Sequence, residues 1–393
     1  MGRSSRGRRV AARLRAGGMI LGALSGFTIA VTADRRAEEQ AQLIARRGGE
    51  VQFGPVIRTK PLGDEARLAE VTASLVARPP DVVVLSTAVG VRGWISGAEG
   101  LGVADDLLAA LDGAQVLARG AKAAGAALTA GLHVDWTTPS ATYTEVVDHL
   151  GVGSSRRADG TPLRIALQLD GEHRPEITAS LEDAGFEVVE VPVYESHVPE
   201  DRAPAERVVA AVAEGSVDAV TFTSGLAVTR FAEIADDLGL RDEVLGSVNS
   251  GAVVAVCVGP VTAERARSVG FETLVQPNNA RLGAMVQALV VAFSGRVNEL
   301  DLDGTKLLLQ GRLVSVDGGE PIRLTDREHA VLGILARRPG AVVSKKALLE
   351  EVWEGESDDH VVEVTVARLR HRLGAAGASI ETVVRRGYRL AVN

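Results

Sequence analysis

Cysteine is almost missing. Cys257 is the single one in 393 residues, which excludes an intramolecular disulfide framework and a cysteine-rich zinc site and fits a reducing compartment. Aromatic residues make up only 3%, so the cores must be built from Val, Leu, Ile and Ala, which the 46% hydrophobic content supplies. Lysine is scarce too. Only Lys60, Lys122, Lys306, Lys345 and Lys346 occur among 43 cationic residues, so arginine is the default cation and a lone arginine says little. No run reaches the roughly 18 apolar residues of a membrane span, so no membrane partner is expected and the chain reads as cytoplasmic. Residues 1–25 hold six arginines and no acid, and glycines break the apolar stretch GGMILGALSGF. That pattern predicts a basic disordered tail, or a true start at Met19, rather than a secretion signal. No glycine-rich dinucleotide fingerprint, phosphate loop, metal-spaced histidine cluster or Ser-His-Asp arrangement stands in a supporting context, so no metal and no cofactor is expected. DLDG at 301–304 starts like a calcium loop but lacks the later ligands, and reads as a turn.

What is present divides the chain. Its length suits two or three compact units. From Phe27 the apolar runs FTIAVT, EVQFGPVIR, DVVVLST and AQVLAR alternate with helical patterns, and LRIALQL, EVVEVPVYE, DAVTFTS and VVAVCVG repeat the series. Such alternation predicts parallel α/β layers. Glu50-Val51 matches Glu187-Val188, Pro55-Val56 matches Pro192-Val193 and Asp81 matches Asp218, each pair 137 residues apart, so the region is a duplication yielding two similar lobes. Each proline-bearing run suits an edge or connecting strand, because proline has no N–H to donate. A helix over 37–47 turns Ala41, Leu43 and Ile44 inward, Ile177, Leu181 and Ala184 do so in the second copy, and Gly48 and Gly185 end them.

Open α/β sheets bind ligands beyond the carboxyl ends of their strands. Those ends carry Thr32 and Arg35, Ser86 and Thr87, Arg119-Gly120, Asp170-Gly171-Glu172, Thr223, Ser224 and Gly225, and Gly259 with Thr262. Hydroxyls and glycines at helix starts suit anionic groups. The same residues serve plain helix capping, and the set carries more weight than its members.

Near the end, Val362, Val366, Leu369 and Leu373 step along one helix face, leaving Arg368, Arg370, His371 and Arg372 on the other. Asp358 or Asp359 can start that helix, and Gly374 with Gly377 can end it. Two β-prone runs follow, at 379–384 and 388–392, split by Arg385, Arg386 and Gly387. From 364 to 393 six arginines face one acid, Glu381, a formal +5 within a chain of net charge -8. A basic-faced helix with a basic hairpin tip is built to lie on double-stranded DNA, the helix in the major groove. A solvated charged face is the bland alternative.

The first 270 residues or so resemble uroporphyrinogen-III synthase. The resemblance rests on Val31, Thr32 and Arg35, on GPVIR, on the VPVY segment ending at Tyr194, on VDAVTFTSGLAV at 217–228 and on VGPVTAERARSVGF at 258–271. It implies a HemD-like α/β fold of two lobes joined by a two-stranded connector, with hydroxymethylbilane, a linear tetrapyrrole octa-acid, between them. The implied reaction expels the terminal hydroxyl as water and closes the ring through a spiro intermediate, without cofactor. By resemblance Tyr194 is the proton donor, and Ser86, Thr87, Thr223, Ser224, Gly259 and Thr262 grip carboxylates. LSTAVGVRGW departs from the family's second TS-type turn, and LQLDGE lacks its frequent arginine. Both departures favour binding over turnover.

Residues 307–393 resemble the winged-helix output domain of OmpR/PhoB-type response regulators. Strands lead, with a turn at 317–319. A Thr325-x-x-Glu328 capping box starts one helix and Pro339-Gly340 ends it; Ser344 starts the next, which closes at Val352-Trp353. RLRHRLG followed by TVVRRGYRL completes the pattern. The resemblance implies that Arg368 reaches bases while Thr365, Arg370 and His371 face bases or phosphates. Val384 stands where the family wing carries arginine, so Arg385 or Arg386 must substitute.

The expected organisation is a tail over 1–25 and a synthase-like module over 26–295, with one lobe at 26–58 plus 197–295 and the other at 59–196. A mobile linker at 296–305 and a winged-helix domain at 306–393 complete it. No phosphorylated receiver is present in the pattern, so control by a tetrapyrrole or hydroxymethylbilane-like ligand replaces it. The reading is a transcription regulator with a ligand-sensing module. Two alternatives stand beside it: a bifunctional protein that also cyclises hydroxymethylbilane, and a catalytically dead scaffold that forms a homodimer.

Overall fold

The computed structural model describes residues 15–16, 19–61, 65–151, 153, 155–171, 175–302, 304–355 and 358–392. Residues 1–14, 17 and 18 of the expected tail, Glu172 of the strand-end set and Asp303 of the DLDG turn lie outside them. The described chain divides into two compact units, 55–202, and 1–54 with 203–393.

Each unit is organised on a five-stranded parallel sheet, and the two sheets are copies. In the 55–202 unit the order is Glu187–Val191, Arg164–Gln168, Val82–Leu85, Gln115–Ala118, Trp136–Thr137. In the other it is Glu50–Phe53, Thr28–Val31, Ala219–Phe222, Val254–Cys257, Leu274–Val275. Strands Val82–Leu85 and Ala219–Phe222 hold the same central place 137 residues apart, and the helices after them, Ala88–Gly100 and Gly225–Asp237, keep that offset. The central strands, VVVL and AVTF, are buried throughout, as strands covered on both faces by helices must be, and their one polar residue, Thr221, donates its hydroxyl to the Ala30 carbonyl at 2.9 Å. Edge strands Glu50–Phe53 and Glu187–Val191 stop just before Pro55 and Pro192. Beyond those prolines, Arg58–Pro61 pairs antiparallel with Tyr194–His197 as a two-stranded connector.

Three expectations need correction. In helix Ala37–Ala45 the buried residues are Ile44 and Gln40, because the Gln40 amide donates to Thr221 Oγ1 at 2.7 Å inside the lobe. The tail ends earlier than its composition indicates: Leu24 is fully buried, its N–H donates to the Arg47 carbonyl at 2.8 Å, and Phe27 stacks on Phe293 at 4.4 Å. Residues 296–305 are not a free joint. Val297–Leu302 is a strand paired in register with Thr305–Gln310, and the Arg296 guanidinium donates to the carbonyls of Gly251 and, at 3.2 Å, Ala252. At the expected DLDG turn, Asp301 Oδ1 accepts the Gly304 N–H at 2.8 Å.

The C-terminal domain starts with an antiparallel sheet, Val297–Leu302, Thr305–Gln310, Leu313–Val316 and Ile322–Arg323. Helices Asp326–Arg337, Lys345–Trp353 and Asp359–Leu373 follow, then the hairpin Ile380–Val383 with Gly387–Leu390. Thr325 and Glu328 form the reciprocal capping box, and Ser344 and Asp358 cap the next two helices. Val362, Val366, Leu369 and Leu373 all enter the core with Leu332, Leu335 and Leu348. Among the described residues no helix is long and apolar enough to cross a membrane.

Candidate nucleic-acid interface and ligand edges

Helix Asp359–Leu373 is held on its apolar face, so its outer face is what a duplex can meet. His360, Ala367, Arg368 and His371 are exposed there. Glu363 shares the face but is neutralised by Lys345, whose ammonium hydrogen-bonds it and holds its carboxyl below the usual range. At the hairpin tip Val384 is 78% exposed, and Arg385 and Arg386 are exposed beside it. Arg385 takes a left-handed φ of 61°, and the Arg386 N–H closes the turn on the Val383 carbonyl at 2.9 Å.

Three residues of the expected DNA-facing set point elsewhere. Thr365 is buried, its hydroxyl donating to the Val361 carbonyl at 2.8 Å. Arg370 donates to the Ile380 carbonyl at 2.8 Å and to Thr382 Oγ1 at 2.8 Å, with its guanidinium over the Tyr388 ring. It ties helix to wing. Arg372 reaches the Arg323 carbonyl at 2.6 Å and Glu328 at 3.2 Å, so it braces the helix end on the leading sheet. Arg368, His371, Arg385 and Arg386 remain on the outside.

The ligand-edge candidates fall into two groups, one per lobe. In the 55–202 unit Thr87 caps helix Ala88–Gly100, its hydroxyl accepting the Gly90 N–H at 3.0 Å, and Gly120 opens helix Ala121–Thr129 with a φ of 138°. Two helix N-termini thus stand at the ends of adjacent strands, which presents partial positive charge. Ser86 is buried, donating to the Gln168 carbonyl and accepting the Tyr143 hydroxyl at 2.8 Å. Tyr194 donates to the Asp170 carbonyl at 2.7 Å and lies 3.3 Å from Thr87 Oγ1.

Sequence reasoning missed how much stands behind that edge. Arg119 pairs with Asp170 at 2.6 Å, both largely buried, and its guanidinium lies 4.3 Å from the Tyr143 ring centre. Gln168 Oε1 accepts the N–H groups of Ser86 and Thr87, at 3.2 and 3.4 Å. Arg119 and Asp170 were visible as strand ends; nothing in the sequence said that they pair.

In the other lobe, Ser224 Oγ accepts the Ala227 N–H at 3.2 Å and caps helix Gly225–Asp237. Gly259 opens helix Pro260–Ser268, where a Cβ would lie 2.8 Å from Ala280 Cβ. Thr223 is half-buried and Arg35 exposed at the same edge. Thr262 is buried within its helix. Thr32 is fully buried, and its hydroxyl donates to the Thr221 carbonyl at 2.7 Å, so it holds two strands together instead of facing a ligand.

A duplicated pair of α/β lobes with helix N-termini at their carboxyl edges, followed in the chain by a helix-and-wing domain, defines a two-lobed α/β module joined to a DNA-binding regulatory domain. Residues 38–287 match the family described as uroporphyrinogen-III synthase HemD, and the chain belongs to that family. Residues 319–390 match the transcriptional regulatory protein C-terminal domain. An uncharacterised Bacillus subtilis protein, YjjA, is 30% identical over 68% of this chain and 96% of its own length. A putative uroporphyrinogen-III synthase of Methanothermobacter thermautotrophicus is 29% identical over 67% of this chain and 97% of its own. A uroporphyrinogen-III synthase mutant structure from Thermus thermophilus superposes with a TM-score of 0.59 at 28% identity, covering 68% of this chain and 99% of that one. The last quarter is 44% identical to the transcriptional regulatory protein CutR of Streptomyces coelicolor, over 23% of this chain and 42% of CutR.

Proposed function

We propose that the protein is a transcription regulator whose synthase-like module binds a tetrapyrrole or its linear precursor and so changes how the chain engages DNA. The observation that supports this most is the retention of paired helix N-termini, with Thr87 and Ser224 as caps and Gly120 and Gly259 as openers, on a chain that ends in a regulatory DNA-binding domain. Such N-termini suit the carboxylates of a tetrapyrrole. The exposed Arg368, His371, Arg385 and Arg386 are the side chains proposed to meet the duplex. A ligand shifts DNA affinity only through differential affinity for two forms of the protein.

The second reading, a protein that also cyclises hydroxymethylbilane, rests on Tyr194. Its hydroxyl proton is engaged by the Asp170 carbonyl, so acting as an acid toward a leaving hydroxyl requires breaking that bond. The binding reading is therefore preferred. Incubating the protein with enzymatically generated hydroxymethylbilane separates the two. Binding without uroporphyrinogen III above the spontaneous isomer I background supports the regulator; isomer III in excess supports catalysis. Neither binding nor turnover would leave the scaffold, whose homodimer sedimentation would reveal.

A further inference from the structure

Two acids of the duplication stand at the amino edge of each sheet, and their partners differ. In the 55–202 unit, Asp81 Oδ2 accepts the Arg164 N–H at 2.7 Å and the Arg157 guanidinium, while Glu187 pairs with Arg78 and, at 3.2 Å, with Arg164. These partners all come from the same lobe. The equivalent Asp218 accepts the Thr28 N–H at 2.8 Å, but its arginine is Arg312 at 3.3 Å, and the equivalent Glu50 pairs with Arg323. Both of those arginines belong to the C-terminal domain.

The contact is built from backbone as well as charge. The Arg312 guanidinium also donates to the Ser216 carbonyl at 2.7 Å and its side chain is only 12% exposed. The Arg312 N–H donates to the Gly26 carbonyl at 2.9 Å, and the Gln310 amide donates to the carbonyls of Gly22 and Ser25 at 2.8 and 3.1 Å. Gly311 has a φ of +53°, and a Cβ there would sit 2.4 Å from the Gly26 oxygen. The two backbones meet where only glycine fits. Burial raises the Asp218 carboxyl despite the Thr28 N–H and Arg312, as expected of a group enclosed by the contact.

We infer that the amino edge of this lobe is the docking surface of the DNA-binding domain, which supplies the arginines that the other lobe supplies for itself, and that the protein binds DNA in the docked form. The docked side consists of the turn around Gln310 and Arg312 and of Arg323. The exposed Arg368 and His371, and the wing tip at 384–386, take no part in it. Docking thus leaves the basic face open. Arg372, in the last turn of the recognition helix, holds the carbonyl of Arg323, so the helix rests on the same residue that grips Glu50. This inference stands whether or not the lobes take a ligand.

Spin labels at Glu38→Cys and Ala378→Cys, both exposed positions, measure the docking in the full chain. Cys257 is buried with its thiol pushed up to about 12, so it does not take label. One narrow distance distribution is expected, unchanged on adding a duplex selected by the protein from random DNA. Glu50→Arg combined with Gly311→Ala broadens it. Glu50→Arg alone also broadens it, and adding Arg323→Glu to that variant narrows it again, a rescue that damaged folding does not produce. A broad distribution in the unmodified chain, release of the domain by the duplex, or failure of the charge exchange to restore order overturns the inference.

Discussion

Arg372 lies 3.2 Å from Glu328, a carboxylate that is almost wholly enclosed and that also accepts the Thr325 N–H at 2.9 Å. A basic residue of the recognition helix is thereby spent on bracing the helix against the start of Asp326–Arg337. Its neighbour four positions back, Arg368, is exposed on the outer face.

The pair separates stability from recognition. Arg372→Ala leaves the enclosed Glu328 short of its cation and is expected to lower the unfolding free energy by about 1–3 kcal/mol. Arg368→Ala is expected to leave stability within about 0.5 kcal/mol but to weaken site-specific DNA binding by about 1–3 kcal/mol. Denaturant melts and footprinting on the same two variants decide it; the reverse assignment of effects would show that Arg372 is the base-reading residue.

Salt dependence tests the wing. Arg385 and Arg386 are exposed at its tip, and each phosphate contact contributes close to one unit to the slope of log affinity against log salt. Replacing both with Ala is expected to reduce that slope by about 2 units. An unchanged slope means that the tip does not reach the backbone.

The buried pair Arg119–Asp170 gives a prediction about the ligand edge. Arg119→Ala takes this cation from the largely buried Asp170 carboxylate beside Tyr194 and is expected to cost about 3 kcal/mol. Arg119→Met with Asp170→Leu removes both charges and is expected to recover most of that loss in urea unfolding. Equal losses in the single and double variants would argue that the pair acts through contacts other than its charges.

Acid is expected to loosen the contact around Asp218. His329 is partly buried near Arg312, Asp218 and Asp326; burial first and the Arg312 cation second hold its imidazole below the usual value. The folded protein therefore prefers neutral His329, so this stability is present above about pH 6.5 and lost as the pH falls below it. Asp218, raised by burial, acts in the opposite sense, losing its contribution as pH rises through its folded value. Comparing unfolding midpoints at pH 7.5 and 5.5 isolates the histidine: the unmodified chain should lose more than His329→Gln. Equal losses would remove His329 from the account.

Much of this architecture is legible in the sequence where local pattern and tertiary burial agree. The spacing of Val362, Val366, Leu369 and Leu373 specifies the buried helix face, and Pro55 and Pro192 mark where edge strands give way to the connector. The 137-residue offset locates equivalent strands because duplicated cores constrain the same positions. Side-chain direction is less legible. Helical spacing puts Arg370 and Arg372 away from the core but does not say that long guanidinium side chains turn back to Ile380 and Glu328. Thr32 and Thr365 look like ligand or base contacts until their hydroxyls are seen on the carbonyls of Thr221 and Val361. The strand Val297–Leu302 was hidden by its polar alternate residues and by a turn sequence that also suits a linker. The partner of Asp218 is a residue 94 positions away, beyond any local pattern.

The most direct test of the regulator reading is selection of duplexes from random DNA by the full chain, with and without added tetrapyrrole, using Arg368→Ala as the control. The account predicts enrichment of one sequence by the unmodified chain, loss of that enrichment in the control, and a change in affinity for the selected duplex when tetrapyrrole is present. Identical pools from the chain and its control, or an affinity indifferent to tetrapyrrole, would contradict it.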